Sequence, residues 1–309
     1  MKLAHSLDFR IDMITENKKE GVAGPGVLYI VATPIGNLED ITYRAVKILQ
    51  EVDVVAAEDT RHSRVLLQHF GINTPLIALH EHNEQQRAAH LLDRIEKGEK
   101  IALISDAGTP LISDPGYRIV SEAHSRELTV TPIPGASAVT AAISVSGQAT
   151  DRFVFEGFLV SKQAARRRQL MTLENETRTI IFYESGRRML ESLQDMQDCF
   201  GTERYVTVAK EMTKRFETIK RLQFSQAIVW FSEVPERLKG EFVVIVSGCN
   251  KNDNVGASLQ QAEKAITLLS PCLSAKQTVS IVTQLCDIPK NQAYKMFVEH
   301  NKNNNANTD

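Results

Sequence analysis

"KIALISDAGTPLISDPGY", residues 100–117, sets out the fold in one repeat. After its lysine, "KIALI" is an unbroken apolar run, the pattern of a strand covered on both faces rather than one alternating between core and water. Glycine, proline, aspartate and threonine then crowd "SDAGTPLISDPG", so the strand runs into a loop that offers backbone and carboxylate groups. Beyond it, "DPGYRIVSEAHSR" spaces its apolar residues by three and four and predicts a helix, with Ser113 or Asp114 as its cap and Pro115 in its first turn. Strand, loop and returning helix are the building unit of a parallel α/β sheet.

The same alternation extends in both directions. "VLYIVATP" (27–34), "VDVVAAEDT" (52–60), "LIALH" (76–80) and "LTVTPI" (128–133) read as further buried strands. "EDITYRAVKILQE", "RHSRVLLQHF" and "NEQQRAAHLLDRIEKGEK" are the amphipathic helices among them. A second group places strands at "RFVFEGFL" (152–159), "TRTIIFYES" (177–185), "YVTVAKE" (205–211), "AIVWFSEV" (227–234) and "GEFVVIVSG" (240–248), with helices near 162–174 and 186–200. Its strands lie closer together in sequence, which predicts a second α/β domain with some antiparallel pairing.

The expected division is an N-terminal α/β domain over residues 27–148, a second over 149–249 and a small helical unit over 256–300. Helices at 258–269, 274–286 and 289–300 are expected there, Ser274 capping one and Pro289 opening another, with a helix-turn-helix-like pair around "DIPK". Residues 1–26 and 301–309 hold little apolar surface and are expected to be disordered.

Composition excludes several classes. Apolar residues make up 42% and charged residues 24%, as in ordinary globular proteins. No apolar run reaches the ~18 residues that span a bilayer, and the first 26 residues do not resemble a secretion signal, so a cytoplasmic protein without membrane contact is expected. Cys199, Cys249, Cys272 and Cys286 lack CxxC spacing, which suggests neither a disulfide framework nor a zinc site. The net charge of -2 conceals an asymmetry: residues 27–150 hold 10 Lys and Arg against 15 Asp and Glu, and residues 162–221 hold 13 against 9. A basic face on the second domain is compatible with a polyanionic partner, and equally with a solvated helix surface.

Three segments end strands of the first domain with similar chemistry: "TPIGN" (33–37), "SDAGTP" (105–110) and "PGASA" (134–138). Ligands of open α/β sheets bind at the carboxyl ends of the strands, where glycine admits a ligand to the backbone and a helix start offers free N–H groups. The chain has neither G-x-G-x-x-G after a strand nor G-x-x-x-x-G-K-[ST], so a dinucleotide or triphosphate is not indicated. A sulfonium nucleoside suits such loops better, since ribose, adenine and an amino-acid carboxylate need hydroxyl and backbone partners rather than a lysine cradle.

In order along the chain, "LYIVATPIGNLEDITYRAVKIL", "AAEDTRHSRVLLQHFGI", "LHEHNE", "ALISDAGTPLISDPGY", "PIPGASAVTAAISVSG", "FEGFL", "IIFYES" and "KGEFVVIV" resemble the ribosomal RNA small subunit methyltransferase I family. That family is a branch of the tetrapyrrole methylase superfamily. The resemblance spans roughly residues 27–249, with a looser match at 256–300. It implies a two-domain class III methyltransferase fold, a homodimer, S-adenosylmethionine held between domains, and methylation of the ribose 2′-hydroxyl of a cytidine in 16S ribosomal RNA of the 30S subunit. By motif, Pro34, Gly36 and Asn37 match the first cofactor loop. Asp106, Ala107, Gly108 and Thr109 match the superfamily's Gly-Asp-Pro loop, Ala136 and Ser137 the third loop, and Phe182, Tyr183 and Glu184 approach from the second domain. Arg187 stands where many relatives carry a histidine.

A ribose hydroxyl is a poor nucleophile, and a nearby base can accept its proton as the new bond forms. Glu58, Asp59, Glu184, Lys210 and Glu211 are the candidates, Asp59 foremost because it ends a strand beside the inferred cofactor loops. The alternative for "EDTR" is a helix cap with Arg61 paired locally. For RNA, Lys162, Arg166, Arg167 and Arg168 of "SKQAARRRQ", with Arg187, Arg188, Lys214 and Arg215, offer phosphate contacts. His80, His82 and Glu84 of "LHEHNE" lack an evident further ligand, so a turn or a contact is expected there rather than a metal. Two other functions fit less of the sequence: a porphyrin-type methyltransferase, and a noncatalytic ribosome-associated RNA-binding protein.

Overall fold

A computed structural model describes residues 25–80, 83–249, 251–286 and 288–306. The chain divides into two compact units. The first comprises the segment ending at Val31, Val46–Asp106 and Pro115–Ile133; the second comprises Ala32–Ala45, Ala107–Asp114 and the chain from Pro134 onward.

The first unit is built on a parallel sheet. Strands β1 (Val27–Val31), β2 (Val54–Ala57), β3 (Leu76–Ala78), β4 (Lys100–Ile104) and β5 (Thr129–Ile133) lie in the order β3-β2-β4-β1-β5. Every pairing is parallel, with Val27 opposite Lys100 on one side and Thr129 on the other. Ile101 to Ile104 and Val54 to Ala57 are all buried, which is why those runs do not alternate. Helix α1 (Tyr43–Glu51) precedes β2, and helices α2 (Thr60–His69), α3 (Glu84–Glu96) and α4 (Tyr117–Ser125) bury one stripe each, α3 through Ala88, Leu91, Leu92 and Ile95. The start of α4 differs from expectation. Its N-cap is Gly116 at φ 124°, with no side-chain cap, while Ser113 sits upstream at φ 68°. Gly116, rather than Ser113 or Asp114, occupies the N-cap position.

The second unit holds a mixed sheet in the order β6-β7-β10-β8-β9, made of β6 (Phe153–Phe158), β7 (Thr179–Ser185), β8 (Tyr205–Lys210), β9 (Thr218–Gln223) and β10 (Glu241–Val246). Only β6 and β7 pair in parallel, with a bulge between Phe155 and Gly157; the other three pairings are antiparallel. "AIVWFSEV" is not a strand. It belongs to α8 (Phe224–Glu233), which opens with a reciprocal Gln223–Gln226 capping box and buries Phe224, Ala227 and Phe231 at spacings of three and four. The β-branched and aromatic residues that suggest a strand instead fill one face of that helix. The missing strand is β9, "TIKRLQ", an edge strand too polar to announce itself.

Helix α5 (Ala138–Val145), α6 (Gln163–Met171) and α7 (Met189–Phe200) also belong to this unit. One face of the sheet packs Phe182, Val208 and Val244 against α7 and α8; the other packs Ile181, Ala209, Val243 and Ile245 against Val139, Ala142 and Ile143 of α5. Helices α9 (Lys251–Leu269), α10 (Ala275–Cys286) and α11 (Lys290–Ala306) enclose their own core of Ala262, Ile266, Val279, Val282, Ile288 and Phe297. Ser274 caps α10, exchanging bonds with Gln277, and α11 begins just after Pro289. Backbone helix begins at Lys251 and continues to Ala306, further at both ends than the sequence spacing indicates. Residues 1–24 and 307–309, most of the expected disordered ends, lie outside the described residues.

Candidate active site

The strands β4, β1 and β5 are neighbours and parallel, so their carboxyl ends finish side by side. From these ends the chain continues as "ATPIGN", "SDAGTP" and "PGASA". Within the second unit the three loops form one cluster. Thr33 and Gly108 exchange two backbone hydrogen bonds, 2.9 and 3.0 Å, and the Thr109 hydroxyl donates to the Ala136 carbonyl at 3.0 Å. Gly108 has φ +83°, where a Cβ would fall 3.2 Å from Ile35 Cγ2. A Cβ on Gly135 would meet that of Ala32 at 3.0 Å. A side chain at either position would crowd a neighbouring loop, and at Gly108 it would also have to adopt a positive φ.

The first loop is anchored on its other side by a turn after β8. The Asn37 N–H donates to Thr213 Oγ1 at 3.1 Å, and a Cβ on Gly36 would lie 2.5 Å from the Lys214 side chain. Asn37 Oδ1 accepts from the Glu39 N–H and so caps the short turn Leu38–Asp40. Ser137 occupies the N-cap of α5 without a side-chain bond to it. Ile35, Ala138, Ala141, Phe155 and Tyr183 pack beside the buried face of α5. A cluster of backbone amides, hydroxyls and small apolar side chains, with Lys214 committed to Glu211 and Glu241, suits a nucleoside that carries an amino-acid tail and no phosphate. It does not suit a triphosphate.

Strand geometry separates two of the expected cofactor residues. Phe182 is fully buried among Leu159, Met189 and Phe231 on one sheet face, whereas Tyr183 lies on the opposite face with Phe155 and Phe158 against its ring. Successive side chains on a strand point to opposite faces, so Phe182 is a core residue and only Tyr183 belongs to the cluster. Burial and then the charge of Asp114 push the Tyr183 phenol up to about 12, opposed by hydrogen bonding to the Val139 backbone.

The candidate bases are distributed differently from expectation. Asp59 is the N-cap of α2: its Oδ1 accepts from the Arg61 N–H at 2.8 Å, and Arg61 grips both carboxylate oxygens at 3.1 and 2.8 Å. The Arg61 side chain, followed by its backbone N–H, holds the Asp59 carboxyl well below the usual carboxylate range. Such a group is a weak proton acceptor, and capping is the role its geometry displays. The Asp59 N–H donates to Asp106 Oδ1 at 3.1 Å, joining the ends of neighbouring β2 and β4. Glu184 is buried, accepting from the Ser192 hydroxyl and the Ser185 N–H and pairing with Arg188 at 2.7 Å. That closed set of partners makes it structural. Lys210 Nζ donates to the Glu236 carbonyl at 3.3 Å, and Glu211 accepts from the Glu241 N–H at 3.0 Å. Glu58 is half-buried at the end of β2.

The basic cluster divides in the same way. Arg166 is 1% exposed and pairs with Asp195 of α7 at 2.7 Å, so it cannot reach a phosphate. Arg167 pairs with Asp198, and Arg188 reaches both Glu184 and the Leu159 carbonyl. Lys162, Arg168 and Arg187 are exposed. In "LHEHNE", Asn83 bonds both His80 and the chain before it, Glu84 Oε1 accepts from the Arg118 N–H, and His82 lies outside the described residues. Among the described residues no group of three His, Cys, Asp or Glu is placed to hold a metal.

Thr33, Ile35, Thr213 and Lys214 enter the cluster without having been singled out for it by sequence. Thr33 and Ile35 stand inside "TPIGN" and are legible as loop residues; Thr213 and Lys214 lie 176 residues or more from the loop they touch, and no local pattern announces that contact.

Residues 27–228 match the family of tetrapyrrole (corrin/porphyrin) methylases. The ribosomal RNA small subunit methyltransferase I of Haemophilus influenzae is 50% identical over 89% of this chain and 97% of its own. That of Pseudomonas aeruginosa is 46% identical over 89% and 97%. Among solved structures, a cobalt precorrin-4 methyltransferase shares the fold with a TM-score of 0.54 at 17% identity, covering 72% of this chain and 94% of that one. Diphthine synthase does so at 0.54 and 13%, over 72% and 90%.

Proposed function

The chain belongs to the ribosomal RNA small subunit methyltransferase I family of the tetrapyrrole methylases, and from that premise we propose that it methylates 16S ribosomal RNA with S-adenosylmethionine as donor. The finer reading is that the acceptor is the ribose 2′-hydroxyl of a cytidine in the 30S subunit, that the protein acts in the cytoplasm, and that it works as a homodimer. The observation that carries the proposal is the three-loop cluster joined by the Thr33–Gly108 bridge and the Thr109–Ala136 bond.

S-adenosylmethionine, when bound, supplies an electrophilic methyl group on a sulfonium. The chain's part is to hold donor and hydroxyl in line, which by itself supplies a large share of the acceleration of a two-substrate reaction. Backbone groups of Pro34, Gly36, Ala107, Gly108 and Ala136, with the side chains of Asn37, Asp106, Thr109, Ser137 and Tyr183, form the proposed cofactor shell. Asp59 supports that shell by presenting its N–H to Asp106. Glu58, half-buried at the carboxyl end of β2, is the carboxylate proposed to accept the hydroxyl proton. Lys162, Arg168 and Arg187 are the exposed cations proposed to engage RNA phosphates, a salt-dependent and largely sequence-independent contribution.

Labelled methyl transfer from S-adenosylmethionine to 30S subunits, free 16S RNA and uroporphyrinogen tests the proposal. Transfer to the ribosomal substrate alone is expected; transfer to the porphyrinogen alone overturns it.

A further inference from the structure

The turn that anchors the first loop, "EMTKRFE" at residues 211–217, is held in an uncommon conformation. Glu211 and Thr213 have φ of 48° and 63°, left-handed values that non-glycine residues adopt only when their surroundings fix them. The fixing contacts are present. The Glu211 N–H donates to the Glu241 carbonyl at 3.0 Å, Glu217 accepts from the Thr213 N–H at 2.7 Å, and Lys214 Nζ reaches Glu211 and Glu241 at 3.1 and 2.9 Å. Thr213 and Lys214 also meet Asn37 and Gly36 of the first loop.

What this rigid turn holds into solvent is Phe216, 68% exposed, with the Arg215 guanidinium 5.6 Å from its ring centroid. Lys214 is neutralised by its two glutamates, whereas among the described residues no acid pairs with Arg215. Lys220 and Arg221 continue the exposed positive charge onto β9. An aromatic face beside an available guanidinium is the chemistry that receives an unstacked base and its phosphate in single-stranded RNA.

We propose that Phe216 and Arg215 form a stacking platform for an unpaired nucleobase flanking the target nucleotide, positioned by the turn's anchorage to the first cofactor loop. The platform rests on RNA being the substrate.

The test uses the full-length protein, measuring affinity for 16S RNA and for 30S subunits alongside labelled methyl transfer. Phe216→Ala and Phe216→Leu are expected to weaken RNA binding roughly tenfold while S-adenosylmethionine affinity holds. Phe216→Trp is expected to retain RNA affinity, and the emission it adds should be quenched by RNA. Unchanged RNA affinity in the alanine and leucine variants, or emission indifferent to RNA, overturns the platform alone. An unsubstituted protein that methylates no RNA overturns the platform together with the function on which it rests.

Discussion

Thr33 and Gly108, 75 residues apart, exchange backbone hydrogen bonds in both directions. This two-residue bridge converts three separate strand-end loops into one surface, because Gly108 also approaches Ile35 and its neighbour Thr109 bonds Ala136. The conformation requires φ +83° at residue 108, which a side chain resists by roughly 1–2 kcal/mol.

Gly108→Ala is accordingly expected to lower the melting temperature and to weaken S-adenosylmethionine binding about tenfold, since its Cβ would press on Ile35 where the loops meet. Calorimetric titration and thermal unfolding of the same preparation check both effects. Unchanged cofactor affinity would separate the bridge from the ligand site.

Asp59→Asn distinguishes a cap from a base. A general base contributes roughly 10²–10⁴-fold, so methyl transfer reduced by only a few fold is the expected result if Asp59 serves as cap and partner of Arg61. The folded carboxyl is held below its ordinary value of 3.8, so its stabilising contribution is present above that pH and is lost as pH falls further. The melting difference between the two proteins should therefore be visible at neutral pH and narrow in strong acid.

Arg166→Ala and Arg168→Ala should behave oppositely although they are two residues apart. The first leaves the buried Asp195 with only Gln163 and the more distant Arg167 as partners and is expected to cost about 3–5 kcal/mol of stability. The second is expected to leave stability within about 0.5 kcal/mol, because the side chain is exposed, and to weaken RNA binding most at low salt. Denaturant unfolding and RNA titrations across ionic strength separate the two outcomes.

Tyr183 should remain a neutral phenol well past pH 10. Its folded value of about 12 exceeds the ordinary 10.0, so the folded state binds the proton more tightly and stability falls as pH rises through that interval. Subtracting the phenolate absorbance of Tyr183→Phe from that of the unsubstituted protein isolates this one ring. A midpoint near 10 would mean that the ring is not buried beside Asp114 and α5.

These four sites also show what local sequence can and cannot disclose. The buried strands "VLYIV", "VVAA" and "KIALI" are legible because strands covered on both faces are apolar without interruption. So are the three strand-end loops, each marked by glycine and proline. Alternation along "TIIFYES" carries the information that Phe182 and Tyr183 face opposite ways. Arg166 looks like surface charge among three consecutive arginines. Its burial becomes legible only when Leu170 one turn on is seen to share its face and Asp195 to lie on the buried face of α7. The Thr213–Asn37 contact and the left-handed Ser113 have no local signature, because both depend on where distant segments close.

Methylation of ribose in small-subunit RNA is open to one direct measurement. After reaction with labelled S-adenosylmethionine, 16S RNA from 30S subunits is digested completely to nucleosides and the label is identified by mass spectrometry. Recovery as 2′-O-methylcytidine is the predicted result; recovery on a base, on another nucleoside, or not in RNA at all would contradict it.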